Sequence, residues 1–425
     1  MPSTVQPPDA PVLVLLGSGE RQQHGYAWES LAARHRVFLL DTVEPTWQRP
    51  FITGYQAVRV RDGAAVRAAV REVAARHRIA GVLTWDEHAA TAAASAARET
   101  GCVGADPAAV RACRNKSLAR AAMEAQGIAT RWAQCFDLVQ ARAAAAWIGY
   151  PLVLKPAASC GRDGVVKIAT PEQLPHAYAF TARAAARQSP EGAGMLVEEY
   201  LDGPEISIET ISCRGHHTAV ARTHTQLGEL PGAPVTAHMV APDLGAPATD
   251  EAARMAATAL TALGITHGAS HVELRLTATG PRVIEVSPCL AGDLIPHLVR
   301  LATGVDLVAA AADLARGRTP DLRPTRAHAA AIGFLNAPAP GGLQPMTISA
   351  QIAARPWCER AVAEHLTAAP LPVATAAADG AARLAHVVVT ATTPAQCRTR
   401  LEHALAALHP ATTTDSTRAS AAGAP

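Results

Sequence analysis

The chain has 425 residues, enough for two or three domains, and is 49% hydrophobic but only 4% aromatic, so its core must be built largely from Ala, Val and Leu. A net charge of +2 with both signs interspersed offers no electrostatic basis for nucleic acid or an anionic membrane, and no apolar run approaches the roughly 20 residues of a membrane span. The eight cysteines are scattered with no Cys-x-x-Cys pair, and residues 1–10 read as a loose leader without a signal-peptide pattern; both point to a reduced, cytoplasmic protein rather than a disulfide framework or zinc site.

Residues 11–16 read as a buried strand, Gly17-Ser-Gly19 as a tight turn before a helix through Leu31, and residues 37–40, ending at Asp41, as a second strand. A helix over 64–77 leads to a third strand, 81–85, that closes at Asp86-Glu87. Strands alternating with helices predict a parallel, Rossmann-like sheet. Gly17-x-Gly19 lacks the third glycine of a dinucleotide fingerprint, which favours a structural turn. Ligands of such sheets still gather at strand carboxyl ends, which makes residues 17–20 and 86–88 candidates for a cleft wall.

Arg114-Asn-Lys116 opens a helix that stops at Gly127, and residues 150–155 form a strand closing on Lys155. The small-residue loop 157–164 follows, then a strand at 165–168. A glycine-rich strand–loop–strand can lay backbone N–H groups over phosphates, although alone it is more often only a turn. Residues 195–201 are a strand, 202–205 a turn and 206–211 another strand. Residues 223–238, with glycine, proline and two histidines, read as a mobile loop that could cover substrate, with ordinary surface residues the favoured reading of His224 and His238. A helix over 250–264 follows.

Residues 271–287 read as a hairpin with a three-residue loop centred on Thr279. Val272, Leu274 and Leu276 share one face of the first strand, and His271, Glu273 and Arg275 the other. On the second strand Val283, Glu285 and Ser287 fall together. This register sets Glu273 opposite Glu285 and His271 opposite Ser287. Like charges directly opposite are destabilising, so the pair calls for a shared proton, water exposure or a cation such as Mg²⁺. A solvated face carrying two acids, or a register one residue off, is an equally good reading of the hairpin alone. Beyond it, residues 290–296 turn into a helix through Leu301, and 320–409 alternate again, with strands near 329–334 and 385–390 and a helix over 393–408. The last sixteen residues have the composition of a disordered tail.

The order of these motifs resembles the ATP-grasp carboxylate–amine ligases, and among them the bacilysin-type L-amino-acid ligases. The resemblance runs from about residue 12 to 310 and more loosely to 409. It implies an α/β (α+β) ATP-grasp fold: a Rossmann-like parallel-sheet domain over 1–113, the ATP-grasp domain over 114–318, a small α/β domain over 319–409 and a tail over 410–425. It implies ATP and Mg²⁺ as cofactors, with Mn²⁺ as an alternative, small-molecule carboxylate and amine substrates, and a homodimer as an option. Residue by residue, Lys116 and Lys155 match the two lysines on ATP phosphates. Ser159, Gly161 and Gly164 match the flap, and Glu198, Glu199, Tyr200 and Leu201 the adenine hinge, where strand alternation lets only one glutamate serve. Glu205 matches the acid on the ribose, and Glu273 and Glu285 the metal ligands. Gly292-Asp293 matches a turn bordering the amino-acid pocket. The implied reaction passes through an acyl phosphate, and relatives with carboxylase or carbamoyl-type chemistry, or without turnover, are the alternatives.

Two departures stand out. Where the family's metal strand reads Glu-x-Asn-x-Arg, this chain reads Glu285-Val-Ser287-Pro-Cys289. Ser287 offers a weaker oxygen than an amide, and Cys289 cannot supply the charge of an arginine that faces substrate. The expected remedies are a compensating cation, Arg275 or Arg162, an altered substrate, or an impaired site; an active enzyme with altered substrate handling is favoured. Cys160, with no histidine close by in sequence, reads as a small loop residue.

Overall fold

The computed structural model describes residues 10–128, 130–158, 161–188, 194–228, 234–242, 247–336, 346–363 and 383–410. At the N-terminus, strands β1 (Val12–Leu16), β2 (Arg36–Asp41), β3 (Gly54–Ala57) and β4 (Ile79–Thr84) form a parallel sheet in the order β3-β2-β1-β4. Every residue of β1 is buried because helices cover both faces. Val12, Val14 and Leu16 pack with the helices Gly63–Ala74 and Ala90–Glu99, while Leu13 and Leu15 pack with Arg21–Ala32 and with Leu307–Ala315, which returns from far along the chain. The carboxyl ends of these strands all point to one side, as expected.

A second, antiparallel sheet holds β5 (Trp132–Cys135), β6 (Leu152–Pro156), β7 (Val166–Ile168) and β8 (Met195–Glu199) in the order β5-β8-β6-β7. The helices Leu138–Ile148 and Leu174–Gln188 bury its outer face.

The third sheet is antiparallel throughout and has eight strands in the order β13-β12-β9-β10-β11-β14-β17-β16. They are β9 (Glu205–Cys213), β10 (His216–Leu227), β11 (Val235–Val240), β12 (Gly268–Thr277), β13 (Gly280–Ser287), β14 (Ala329–Asn336), β16 (Cys358–Ala363) and β17 (Arg383–Ala391); a short pair, β15 (Met346–Ile348) with β18 (Leu408–Pro410), stands apart. The strands expected near 329–334 and 385–390 therefore extend the sheet that carries the acidic hairpin. The expected loop over 223–238 is instead paired strand on both sides, with Thr225 opposite His238. Its β-branched residues and alternation outweighed Gly228 and Pro234, which stand just beyond the strand ends.

Candidate active site

A cavity of about 2010 Å³ opens between the two antiparallel sheets and the carboxyl ends of β1, β2 and β4. Its wall includes Glu273 and Glu285, which face each other across β12 and β13, with His271 opposite Ser287. The expected register holds there, but by a different route. The turn has two residues, Ala278 and Thr279, and pairs Thr277 with Gly280, one residue out of the expected alignment. A bulge at Ile284 then restores it. The bulge also corrects the faces: Val283 and Val286 both enter the core, while Glu285 and Ser287 face the cavity. The Ile284 carbonyl accepts from Arg120 Nη2 at 2.7 Å.

Buried cations surround the carboxylates. Asn115 caps the helix Lys116–Glu124 by accepting from the amides of Ser117 and Leu118. Lys116 and Arg120, one helical turn apart, share the inward face. Lys116 Nζ lies 2.9 Å from Glu285 Oε1, and its amide donates to the Ala157 carbonyl just past β6. Arg120 Nε and Lys155 Nζ each lie 2.6 Å from an oxygen of Glu198. Lys116, Arg120, Lys155 and Glu198 are 4%, 3%, 3% and 5% exposed, so this network is buried. Burial raises the Glu198 carboxyl, but Arg120 and Lys155 outweigh it and hold it at about 2. Burial also holds the Lys155 ammonium below its ordinary range; Glu198 opposes that, and Arg120 and Lys116 add to it.

Strand alternation turns Glu198 inward, while Glu199 pairs at the rim with Arg131 at 3.1 Å. Tyr200 carries Lys167 Nζ over its ring at 3.6 Å, and Leu201 completes this part of the wall. Glu205 bonds Arg275 Nη2 at 2.8 Å and Arg162 Nη1 at 3.4 Å. Burial and, next, the charge of Glu273 raise its carboxyl. Arg275 and Arg162, the two cations expected as compensation for Cys289, are both paired with Glu205 on the cavity wall. Of the flap, Gly161 (φ +70°) lines the cavity with open space around it. Gly164 (φ +77°) instead packs against the helix behind, where a Cβ would come within 2.6 Å of Ala184. Ser159 and Cys160 lie outside the described residues.

Three features were not anticipated. Glu209, buried and bonded by Ser207 and Thr223 hydroxyls, accepts from His271 Nδ1 at 3.0 Å, and His271 Nε2 lies 3.3 Å from Glu273. Burial works against the imidazolium, but Glu209 overrides it and raises His271 well above its ordinary range. Ser287 donates through its hydroxyl to Glu87, from the loop after β4, at 3.2 Å. Asp293, beside Gly292 on the cavity wall, is ion-paired to Arg383 at the start of β17. The i, i+4 spacing of Lys116 and Arg120 and the alternation of His271 with Glu273 were usable signals for Arg120 and His271. Nothing in the sequence pointed to Arg383, which depends on the pairing of β14 with β17.

Residues 148–297 match the family model of the ATP-grasp domain. The chain is 32% identical over 274 residues to an uncharacterized protein of Sinorhizobium fredii, covering 62% of this chain and 55% of that one. It is 31% identical over 138 residues to human carnosine synthase 1 (32% of this chain, 17% of that one) and 28% identical over 156 residues to dapdiamide A synthase of Enterobacter agglomerans (36% and 37%). It thus spans about half the length of the first relative and much less of the other two. Among solved structures, an L-amino acid ligase from Bacillus licheniformis matches with a TM-score of 0.78 at 19% identity, over 94% of this chain and 98% of that one. Phosphoribosylglycinamide synthetase from Anaerococcus prevotii matches with 0.71 at 14%, over 94% and 98%. At these identities the likeness concerns the fold.

Proposed function

We propose that the chain is an ADP-forming ligase that joins the carboxylate of an amino-acid-like substrate to an amine. The observation that carries this reading is one wall that holds Glu273 opposite Glu285, buried cations behind them, and the Cys289–Asp293 stretch beside them. Two opposed carboxylates supply hard oxygens suited to Mg²⁺. Among the described residues no group of three or more His, Cys, Asp or Glu is arranged to hold a metal ion. Glu273 and Glu285 would therefore leave most of the ion's shell to water and phosphate oxygens, the habit of Mg²⁺ at nucleotide sites. Lys116, Lys155 and Arg120 suit the charge of a triphosphate, and the segment 198–201 suits its base.

Bound ATP would supply the phosphoryl group: a substrate carboxylate oxygen takes it, ADP leaves, and the amine nitrogen then displaces phosphate from the acyl carbon. The chain's own part is to orient and to neutralise. Glu198 holds Lys155 and Arg120 in place, Arg120 also fixes the bulge that aims Glu285, and His271 orients Glu273.

The test is ADP release from ATP and Mg²⁺ across single and paired amino acids, with Glu285→Gln as the blank. Release above the blank for particular pairs, with a peptide or amide product, is expected. Equal release in the variant removes Glu285 from the site, and no release with any pair counts against the ligase reading.

A further inference from the structure

Behind His271 and Glu273, which line the cavity, stands a row of buried polar residues, Thr223, Ser207 and Glu209. The register of β9 with β12 sets Glu209 opposite His271 and Ser207 opposite Glu273, and on its other side β10 brings Thr223 opposite Ser207. The Ser207 and Thr223 hydroxyls donate to Glu209 Oε1 at 2.7 Å and 3.1 Å. Both Glu209 oxygens lie 3.0 Å from His271 Nδ1. The other nitrogen of that ring, Nε2, lies 3.3 Å from Glu273 Oε1. The imidazole is pinned between two carboxylates, so the plane that Glu209 sets for it also sets where Glu273 holds its oxygen.

Stability does not account for a charged side chain at position 209. The desolvation of a buried acid offsets much of the attraction it gains, and an apolar side chain of similar volume often serves as well. Positioning does account for it. Glu273 stands opposite Glu285, and like charges at that spacing repel. Lys116 restrains Glu285 at 2.9 Å, and His271 restrains Glu273. A ligand side chain held by a neighbour that is itself hydrogen-bonded is the arrangement by which proteins orient metal ligands.

We propose that Glu209 is a positioning residue for Mg²⁺: through His271 it holds Glu273 in the orientation that binds the ion accompanying the nucleotide. The inference rests on the part of the proposed function that makes Glu273 a metal ligand, and not on the identity of the acid or the amine.

The experiment titrates ADP into the full chain by calorimetry, across a series of Mg²⁺ concentrations and without Mg²⁺. In the wild type Mg²⁺ is expected to strengthen ADP binding, and Glu273→Gln to remove that gain. Glu209→Gln keeps the volume and removes the charge. It is expected to raise the Mg²⁺ concentration at half-effect about 10-fold, the lower end for loss of such a supporting partner, with metal-free ADP affinity unchanged. In a His271→Asn chain, where the link is already broken, Glu209→Gln is expected to add no further loss. Metal-free ADP affinity reports whether each variant is folded. If the Gln variant is not, Glu209→Asp, with a shorter reach and a smaller shift expected in the same direction, carries the test. Wild-type Mg²⁺ dependence in the position-209 variant, an equal loss of ADP affinity with and without Mg²⁺, or a further loss in the His271→Asn chain overturns the proposal. No Mg²⁺ effect in the wild type, or an undiminished one in Glu273→Gln, overturns the metal assignment and this proposal with it. Mg²⁺ affinity that depends on Glu209, without amine-dependent ADP release, supports the positioning role and counts against the ligase reading alone.

Discussion

At the scale of the residue, the site is governed by how buried charges are shared. Glu198 is the clearest case, since one carboxylate holds two buried cations. Its carboxyl is held at about 2 against an ordinary 4.5, so its stabilising contribution is full above the ordinary value and is lost as pH falls towards 2. Unfolding measured from pH 5 downwards should therefore show a shallower pH dependence in Glu198→Gln than in the wild type; superimposable slopes would contradict the assigned pairing. Lys155→Ala should weaken ATP binding by about 10- to 100-fold, the range of a charge-assisted hydrogen bond. Isothermal titration would show this, and an unaltered nucleotide affinity would take Lys155 out of the site.

At the scale of the element, the acidic hairpin was legible in the sequence only in part. Alternation identified its strands and its acids, because a period of two is written into the residue order. The bulge was not legible, since Ile284 is an ordinary strand residue whose extra position is stabilised by Arg120, distant in sequence. Gly203 shows the same dependence on tertiary contact. Its φ is +134°, a Cβ would come within 2.1 Å of the Leu276 carbonyl oxygen, and its own carbonyl accepts from Arg275 at 2.8 Å. Gly203→Ala should cost on the order of 1–3 kcal/mol, the scale of such backbone strain. It should also raise the KM for ATP by disturbing Arg275 and Glu205. Chemical denaturation and steady-state kinetics together check both effects.

At the scale of the whole molecule, the cavity is assembled from segments that meet only when folded: strand ends near residues 17, 41 and 86, the wall of β6 and β8, the hairpin, and Arg383. Nucleotide that binds across these segments should stabilise the chain as a unit. ATP with Mg²⁺ at about 100 times its Kd should add about 2.7 kcal/mol, visible as a rise in Tm that Glu285→Gln reduces. An identical rise in both chains would argue that the hairpin takes no part in metal-dependent binding.

The division between sequence and tertiary structure follows from range. Residue order by itself determined the parallel N-terminal sheet, the hairpin acids and the buried strand closing on Lys155, because these rest on local periodicity and on charges placed among apolar neighbours. It also carried enough ordered motifs to identify the ATP-grasp fold. Tertiary structure alone decided which of Glu198 and Glu199 faces inward, the route by which Glu273 meets Glu285, and the capture of Arg275 and Arg162 by Glu205. It also decided that the loop expected over 223–238 is sheet, and that Arg383 of β17 pairs with Asp293. Each of these depends on groups far apart in the chain, whose proximity is set by sheet pairing and helix packing, not by spacing along the sequence.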